Sequence, residues 1–380
     1  MSGGDEKTIP DLSSLRAKLG AVDLEILRAV GERMKLIMSV ASYKTERGLP
    51  SFDREREAAH LEALVDTGRE NGLDDEITRD LFAVLFGASR LAQRRAQRAV
   101  IDPFSVGIIG GTAGMGAFMA RVFTAGGYHV EVMGHDGGPP AEEVAARHDL
   151  VVIAVPIAST VAVIRQVAPF VRAEACLLDV TSVKRAPLEA MLQFAASSVD
   201  VVGSHPMFGP SGSDFDRQKV VLVRGRGETW FPRIKRLYEL FGAECIEASA
   251  EEHDRQMALI QVLVHEKTMV LGSVLERMKA DLARSLQFAS PIYRTELSMV
   301  GRMFSQHADL YADILTQNPD SAACSHVFEQ EAAYFARALA MGDREAVTKR
   351  FREVATFMKE FAQWAKRQSD TILRDLVRHG

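Results

Sequence analysis

Cysteine is scarce in this chain: there are three among 380 residues. Cys176, Cys245 and Cys324 lie far apart, each in an apolar neighbourhood, with no CxxC pair. A disulfide framework and a cysteine metal knuckle are therefore excluded, and all three read as reduced core residues. No metal motif is present. No apolar run approaches the roughly 20 residues of a membrane span. The first residues, "MSGGDEKTIPDLSS", lack the basic and apolar stretches of a secretory signal. Positive charge is not in excess: 46 Lys and Arg face 51 Asp and Glu, a net charge of −5. That balance excludes a general nucleic-acid binder, which needs a basic stripe. The expectation is a soluble cytoplasmic protein with neither a nucleic-acid nor a membrane partner. With 47% hydrophobic and 26% charged residues, the chain is long enough for two or three cores.

Three regions of different periodicity follow one another: 1–100 helical, 101–249 alternating, 250–380 helical. In the first, Leu12, Leu15, Leu19, Val22, Ile26, Val30, Ile37 and Ala41 recur at three- and four-residue steps. The spacing predicts one helix from Asp11 to Arg47, too long to bury its whole stripe against its own small domain. An intertwined partner chain is expected. Two more helices are predicted near 54–71 and 75–98. The middle region has seven β-branched runs separated by helical segments: "SVGIIG", "HVEVMG", "LVVIAVP", "ACLLDV", "VDVVGSHP", "KVVLVRG" and "ECIEAS". Continuous apolar strands of this kind predict a parallel, doubly wound α/β sheet. Methionines and phenylalanines at helical spacing in the last region read as core or dimer contact.

"VGIIGGTAGMGAF" begins as a strand and opens a helix. Read as a dinucleotide turn it is Gly111-x-Ala113-x-x-Gly116, with Ala113 where the middle glycine usually stands. Gly110, Gly111, Ala113, Gly114, Met115 and Gly116 are the candidate cofactor-binding residues, with the pyrophosphate on the helix N-terminus. The second strand should end in an acid for the ribose of NAD. Gly134 occupies that place, and Asp136 follows two residues later. No arginine there favours a 2′-phosphate, so NAD is the expected cofactor and NADP stays open.

Ligands of an open α/β sheet bind at the carboxyl ends of its strands. In "VVGSHPMFGP", His205 ends such a strand and Pro206 stops it. Taken alone, a histidine there is more often a satisfied structural group than a base. A nicotinamide on the same face favours the base, since removing hydride from an alcohol carbon requires one. Ser182, after "LLDVT", is placed to fix the imidazole tautomer. Arg294 stands in the first turn of a helix expected to start at Pro291, and suits a carboxylate. Asp254 is its candidate partner, with a purely structural ion pair as the alternative. His265, Lys184 and Gln261 lie in neighbouring segments.

In the first region Arg33 and Lys44 are eleven residues apart, so they share a helix face within roughly 20° and about 16 Å along the axis. Two long cations on an apolar stripe leave room for a small anion, although a solvated charged face fits the spacing as well. Arg16 lies off that face and points toward another subunit's pocket. Arg54 and Glu55 follow in "FDRER", and Ser89 and Gln93 share a face at i, i+4.

The segments "GSHPMFGP", "DVTSVK", "HDRQMALIQ" and "SPIYRTELSMVGR" resemble the motifs of prephenate dehydrogenases. Their order resembles the bifunctional family in which that enzyme is fused to chorismate mutase. The resemblance implies an all-α N-terminal mutase domain, a Rossmann-type domain and an all-α C-terminal dimerisation and substrate domain. It implies that His205 accepts the hydrogen bond of the prephenate ring hydroxyl with Ser182 in support. Arg294 binds a substrate carboxylate with Asp254 as its partner, and His265 lines the pocket. In the mutase, arginines including Arg16, Arg33 and Arg54 hold the carboxylates of chorismate, with Glu55 and Ser89 beside them. Lys44 and Gln93 stabilise charge on the ether oxygen. An acid that some relatives carry before "DRER" is here Ser51, or displaced to Asp53. A homodimer and feedback inhibition by tyrosine are expected for the family. An arogenate dehydrogenase, or a nucleotide-sensing regulator with inactive sites, are the alternative functions.

Overall fold

The computed structural model describes residues 11–47, 53–97, 103–134, 137–212 and 214–379. Helices α1 (Leu12–Glu46), α2 (Arg54–Glu70) and α3 (Asp75–Gln97) form the N-terminal unit, with α3 packed on both others. Asp53 caps α2 by accepting the Arg56 amide at 3.0 Å, which satisfies one of the free donors of its first turn. This unit buries few large apolar side chains, among them Val65 and Phe86. On α1 the first part of the apolar stripe foreseen from periodicity is exposed, Leu12, Leu15, Leu19, Val22 and Ile26 all facing outward with Leu27 beside them, whereas Val30 and Ile37 are half-buried and Ala41 is buried.

The seven predicted strand segments all form strands: β1 (Ser105–Ile109), β2 (His129–Met133), β3 (Leu150–Ile153), β4 (Cys176–Asp179), β5 (Asp200–Pro206), β6 (Lys219–Arg226) and β7 (Glu244–Ala248). They make one sheet in the order β2-β1-β3-β4-β5-β6-β7. Between the first five run α4 (Gly114–Ala125), α5 (Ala141–Arg147), α6 (Ile157–Val167) and α7 (Arg185–Phe194), and α8 (Trp230–Leu240) joins β6 to β7. Strand residues alternate between two cores, as a period of two requires. Val106, Ile108, Leu150 and Val152 meet Phe118 of α4 and Tyr238 of α8, whereas Ile109, Val151 and Ile153 meet Val144, Ile164 and Met191. One expectation needs correction, because the sheet is not wholly parallel. β6 runs antiparallel to β5, with His205 opposite Val221. The segment between them carries no helix to return the chain to the other edge.

In the C-terminal unit, α9 (Ala250–Met257), a π-helical turn (Ala258–Leu263) and α10 (Val264–Arg277) form one continuous run. After it come α11 (Leu282–Gln287), α12 (Pro291–Phe304), α13 (Ala308–Gln317), α14 (Ser321–Ala340) and α15 (Arg344–His379), the last broken at Lys359. Ala250–Arg277 is, by length and composition, apolar enough to cross a membrane. The sequence reading of no such run is corrected to that extent. The same run carries His253 and Asp254, both fully buried against the sheet unit.

Candidate active sites

β1 delivers the glycine turn to the carboxyl edge of the sheet. Gly110 has φ +91°, and a Cβ there would meet the Ala154 carbonyl oxygen at 2.5 Å. A Cβ on Gly116 would meet the Gly110 oxygen at 2.3 Å, so only glycine lets α4 start this close to the strand. Gly111 packs on Val132, while Ala113 and Gly114 are exposed and Met115 is half-buried. Ala113 is the N-cap of α4 and offers no side-chain cap, which leaves the first amides of the helix open to an anion. This cradle fits a dinucleotide pyrophosphate. Beyond β2, a Cβ on Gly134 would meet the Thr112 side chain at 2.2 Å, so an acid in that place would require Thr112 to move. Asp136 lies outside the described residues.

His205 sits near the carboxyl end of β5 at this same edge and is 3% exposed. Its Nδ1 lies 2.9 Å from His253 Nε2, and His253 Nδ1 lies 2.8 Å from Asp254 Oδ1. Asp254 in turn accepts the backbone amides of Lys184 at 2.8 Å and Arg185 at 3.0 Å, the start of α7. Burial works to raise the Asp254 pKa, but the His253 hydrogen bond and these amides outweigh it and hold the carboxyl below its usual range. Burial pushes His205 well below the ordinary histidine value, helped by His253 and the Lys184 ammonium. Lys184, fully buried, pairs with Asp179, whose Oδ2 also accepts the Thr181 hydroxyl at 2.7 Å. The π-helical turn carries Gln261, whose amide nitrogen lies 3.4 Å from His205 Nε2.

Two expected pairings are corrected. Ser182 is half-buried and makes no side-chain hydrogen bond among the described residues; His253 holds His205 instead. Asp254 does not pair with Arg294. Its carboxylate is taken by His253 and the α7 amides, with the Arg185 guanidinium 3.7 Å away. Arg294 stands in the first turn of α12, which begins at Pro291 as expected, half-buried and with no ion pair among the described residues. His265, one turn beyond Gln261, packs edge-on against Tyr311 at 5.0 Å, and burial lowers its pKa. The residue missed from sequence is His253. Its signal was the "HD" pair at the start of a helix, of which only the acid was singled out.

In the helical unit, Arg33 donates to Ser89 Oγ at 2.5 Å and to the Leu85 carbonyl at 3.2 Å. Gln93, one turn beyond Ser89, is buried, and its Oε1 has no hydrogen-bond partner among the described residues. Lys44 is half-buried; burial, then Arg56, lowers its pKa. Arg16 and Glu55 are exposed. Arg54 opens α2, and its side chain lies outside the described residues, as does Ser51. The structure therefore joins Arg33 to Ser89 and leaves Arg16 about 25 Å along α1 from Arg33.

The sequence matches Chorismate mutase type II over residues 15–94, the nucleotide-binding domain of Prephenate dehydrogenase over 130–247, and its dimerization domain over 249–353. It is 30% identical to the T-protein of Haemophilus influenzae over 365 residues, 96% of either chain. With the T-protein of Enterobacter agglomerans it is 32% identical over 369 residues, 96% of this chain and 98% of that one. Prephenate dehydrogenase from Aquifex aeolicus, solved with hydroxyphenyl propionate and NAD+, shares the fold. The TM-score is 0.55 at 18% identity, over 69% of this chain and 99% of that one. Both halves of the molecule are thereby accounted for, and the chain belongs to the T-protein family, bifunctional enzymes of tyrosine biosynthesis that join chorismate mutase to prephenate dehydrogenase.

Proposed function

We propose that the chain rearranges chorismate to prephenate in its helical N-terminal unit. It then oxidatively decarboxylates prephenate to 4-hydroxyphenylpyruvate with NAD, using His205 as the acceptor of the ring-hydroxyl proton. The observation that carries this reading is a buried imidazole, held toward its neutral form by that burial, at the strand edge that also bears the glycine cradle. NAD, bound with its pyrophosphate at the start of α4, supplies a hydride acceptor. His205 Nε2 takes the hydroxyl proton as the carbinol carbon becomes a carbonyl. The ring carboxylate then leaves as carbon dioxide, its bonding electrons make the ring aromatic, and the proton returns to the phenolate oxygen. Gln261, whose amide faces Nε2, marks the side from which the hydroxyl approaches. Arg294 holds a substrate carboxylate with its unpaired fork, and His265 lines the same pocket.

For the mutase, Arg33, Arg54 and Ser89 hold the substrate carboxylates, with Glu55 at the rim. Lys44 and Gln93 stabilise the developing charge on the ether oxygen. The unsatisfied Gln93 Oε1 and the half-buried Lys44 support that assignment. Arg16 serves the pocket of a second copy, and the exposed α1 stripe together with the dimerization domain supports a homodimer. Tyrosine feedback and a cytoplasmic location complete the reading; three unpaired cysteines suit a reducing compartment. The test is one assay series on purified protein with chorismate, prephenate and arogenate, each with NAD and NADP. Prephenate formation plus NAD-dependent prephenate oxidation is expected. Neither activity would leave only a nucleotide sensor, and oxidation confined to arogenate would reassign the substrate.

A further inference from the structure

We infer that His253 and Asp254 set the tautomer of His205, and so decide that Nε2 is the bare nitrogen facing the substrate hydroxyl. This rests on the role proposed for His205. Asp254 has no exposed side-chain surface and accepts two backbone amides at the start of α7, so it is an ionised acceptor with nothing to donate. His253 Nδ1, 2.8 Å from Oδ1, must therefore carry a hydrogen. Burial and the nearby Lys184 ammonium oppose a second proton on that ring, so its Nε2 presents a lone pair. His205 Nδ1 faces this lone pair at 2.9 Å, and two lone pairs cannot share that distance. Nδ1 of His205 is then the donor, and Nε2 is left bare. The Gln261 carboxamide opposite Nε2 can donate to that bare nitrogen through its NH2 group. A proton added to His253 would reverse the pair and leave His205 with a hydrogen where it needs an acceptor. His253 and Asp254 are positioning residues: neither faces the reacting atoms, and both act through His205.

The arrangement is open to a direct test on the full-length protein in its native oligomeric state. Long-range proton–nitrogen spectra of histidine-labelled wild type, with His205 assigned through His205→Asn, should show Nδ1 protonated and Nε2 bare. In Asp254→Asn the anion that fixes the His253 proton is gone: one carboxamide oxygen cannot serve both the Lys184 and the Arg185 amides, and wherever the amide nitrogen takes the place of Oδ1 its hydrogens face His253 Nδ1 and reverse both rings. His205 should then appear protonated at Nε2. Prephenate oxidation should fall toward the roughly 10⁴-fold loss in kcat that a wrong tautomer costs a hydrolase triad. KM for NAD and prephenate should stay within about threefold, and mutase turnover should persist. Should Asp254→Asn fail to fold, His253→Gln, which restores an acceptor for His205 Nδ1, should retain about tenfold more kcat than His253→Ala. A wild-type His205 protonated at Nε2 overturns the inference, as does a folded Asp254→Asn with kcat within about threefold of wild type. If His205→Asn is inactive while Asp254→Asn is not, the relay alone fails. If His205→Asn keeps its rate, the base assignment fails first.

Discussion

The two active sites of this chain are finished to different degrees by one copy of it. At the sheet edge, the proposed base His205 comes from β5, its partner His253 and the anchoring Asp254 come from α9, and the amides that hold the carboxylate come from the start of α7, with all three side chains buried. In the helical unit, Arg33 and Ser89 meet, yet Arg16 and Glu55 face outward and the first part of the apolar stripe of α1 is uncovered. A sheet surrounds its own site with covalently connected elements. A lone 35-residue helix spans about 50 Å and cannot wrap around its own ligands. His205 is therefore held by intrachain packing, whereas in the proposed reading the mutase pocket is completed by a second helix laid along α1.

Substitutions that separate the two sites test this contrast most strongly. His205→Asn should lower prephenate oxidation by about 10³–10⁴-fold and leave chorismate turnover within about twofold, measured on one preparation. Lys44→Ala should do the reverse, with mutase activity down about 10³-fold and oxidation intact; equal loss of both would point to misfolding or a shared site. A smaller effect is expected from Leu27→Glu on the exposed α1 stripe. Mutase turnover should drop about tenfold or more as the helical units part, with oxidation held within about twofold. Sedimentation should then report a looser or smaller assembly, and an unchanged mutase rate would show that α1 needs no partner. The smallest effect concerns pH. Burial holds His205 and His253 below the ordinary histidine value, so near pH 6 an unfolded chain binds protons that the folded chain refuses. Their contribution to stability is complete above about pH 6.5 and is lost as pH falls below it. Tm should drop between pH 7.5 and 5.5 by at least about 2 °C more in wild type than in His205→Asn.

Strand positions were legible because each of the seven β-branched runs is short and bounded by turn residues, and both faces of the sheet are buried. Strand direction was not. β6 reads like its neighbours, "KVVLVRG", and nothing in its residue types reports that it runs opposite to β5. In the site, His205 stood out because Pro206 ends its strand beside a predicted cofactor turn. Asp254 was also singled out, but with the wrong partner. Arginine is the commonest match for an acid in sequence, while in the structure backbone amides and an imidazole compete for the same oxygens and take them. His253 was passed over because 48 residues separate it from His205.

By itself, the sequence determined which segments are helix or strand, where the dinucleotide turn lies, and which side chains have the chemistry for two reactions. These depend on local periodicity, glycine geometry and residue type, all properties of near neighbours in the chain. Only the tertiary structure decided who touches whom: His253 rather than Ser182 on His205, and the α7 amides rather than Arg294 on Asp254. A hydrogen bond is a matter of a few tenths of an ångström between groups from distant segments, and packing alone sets that distance.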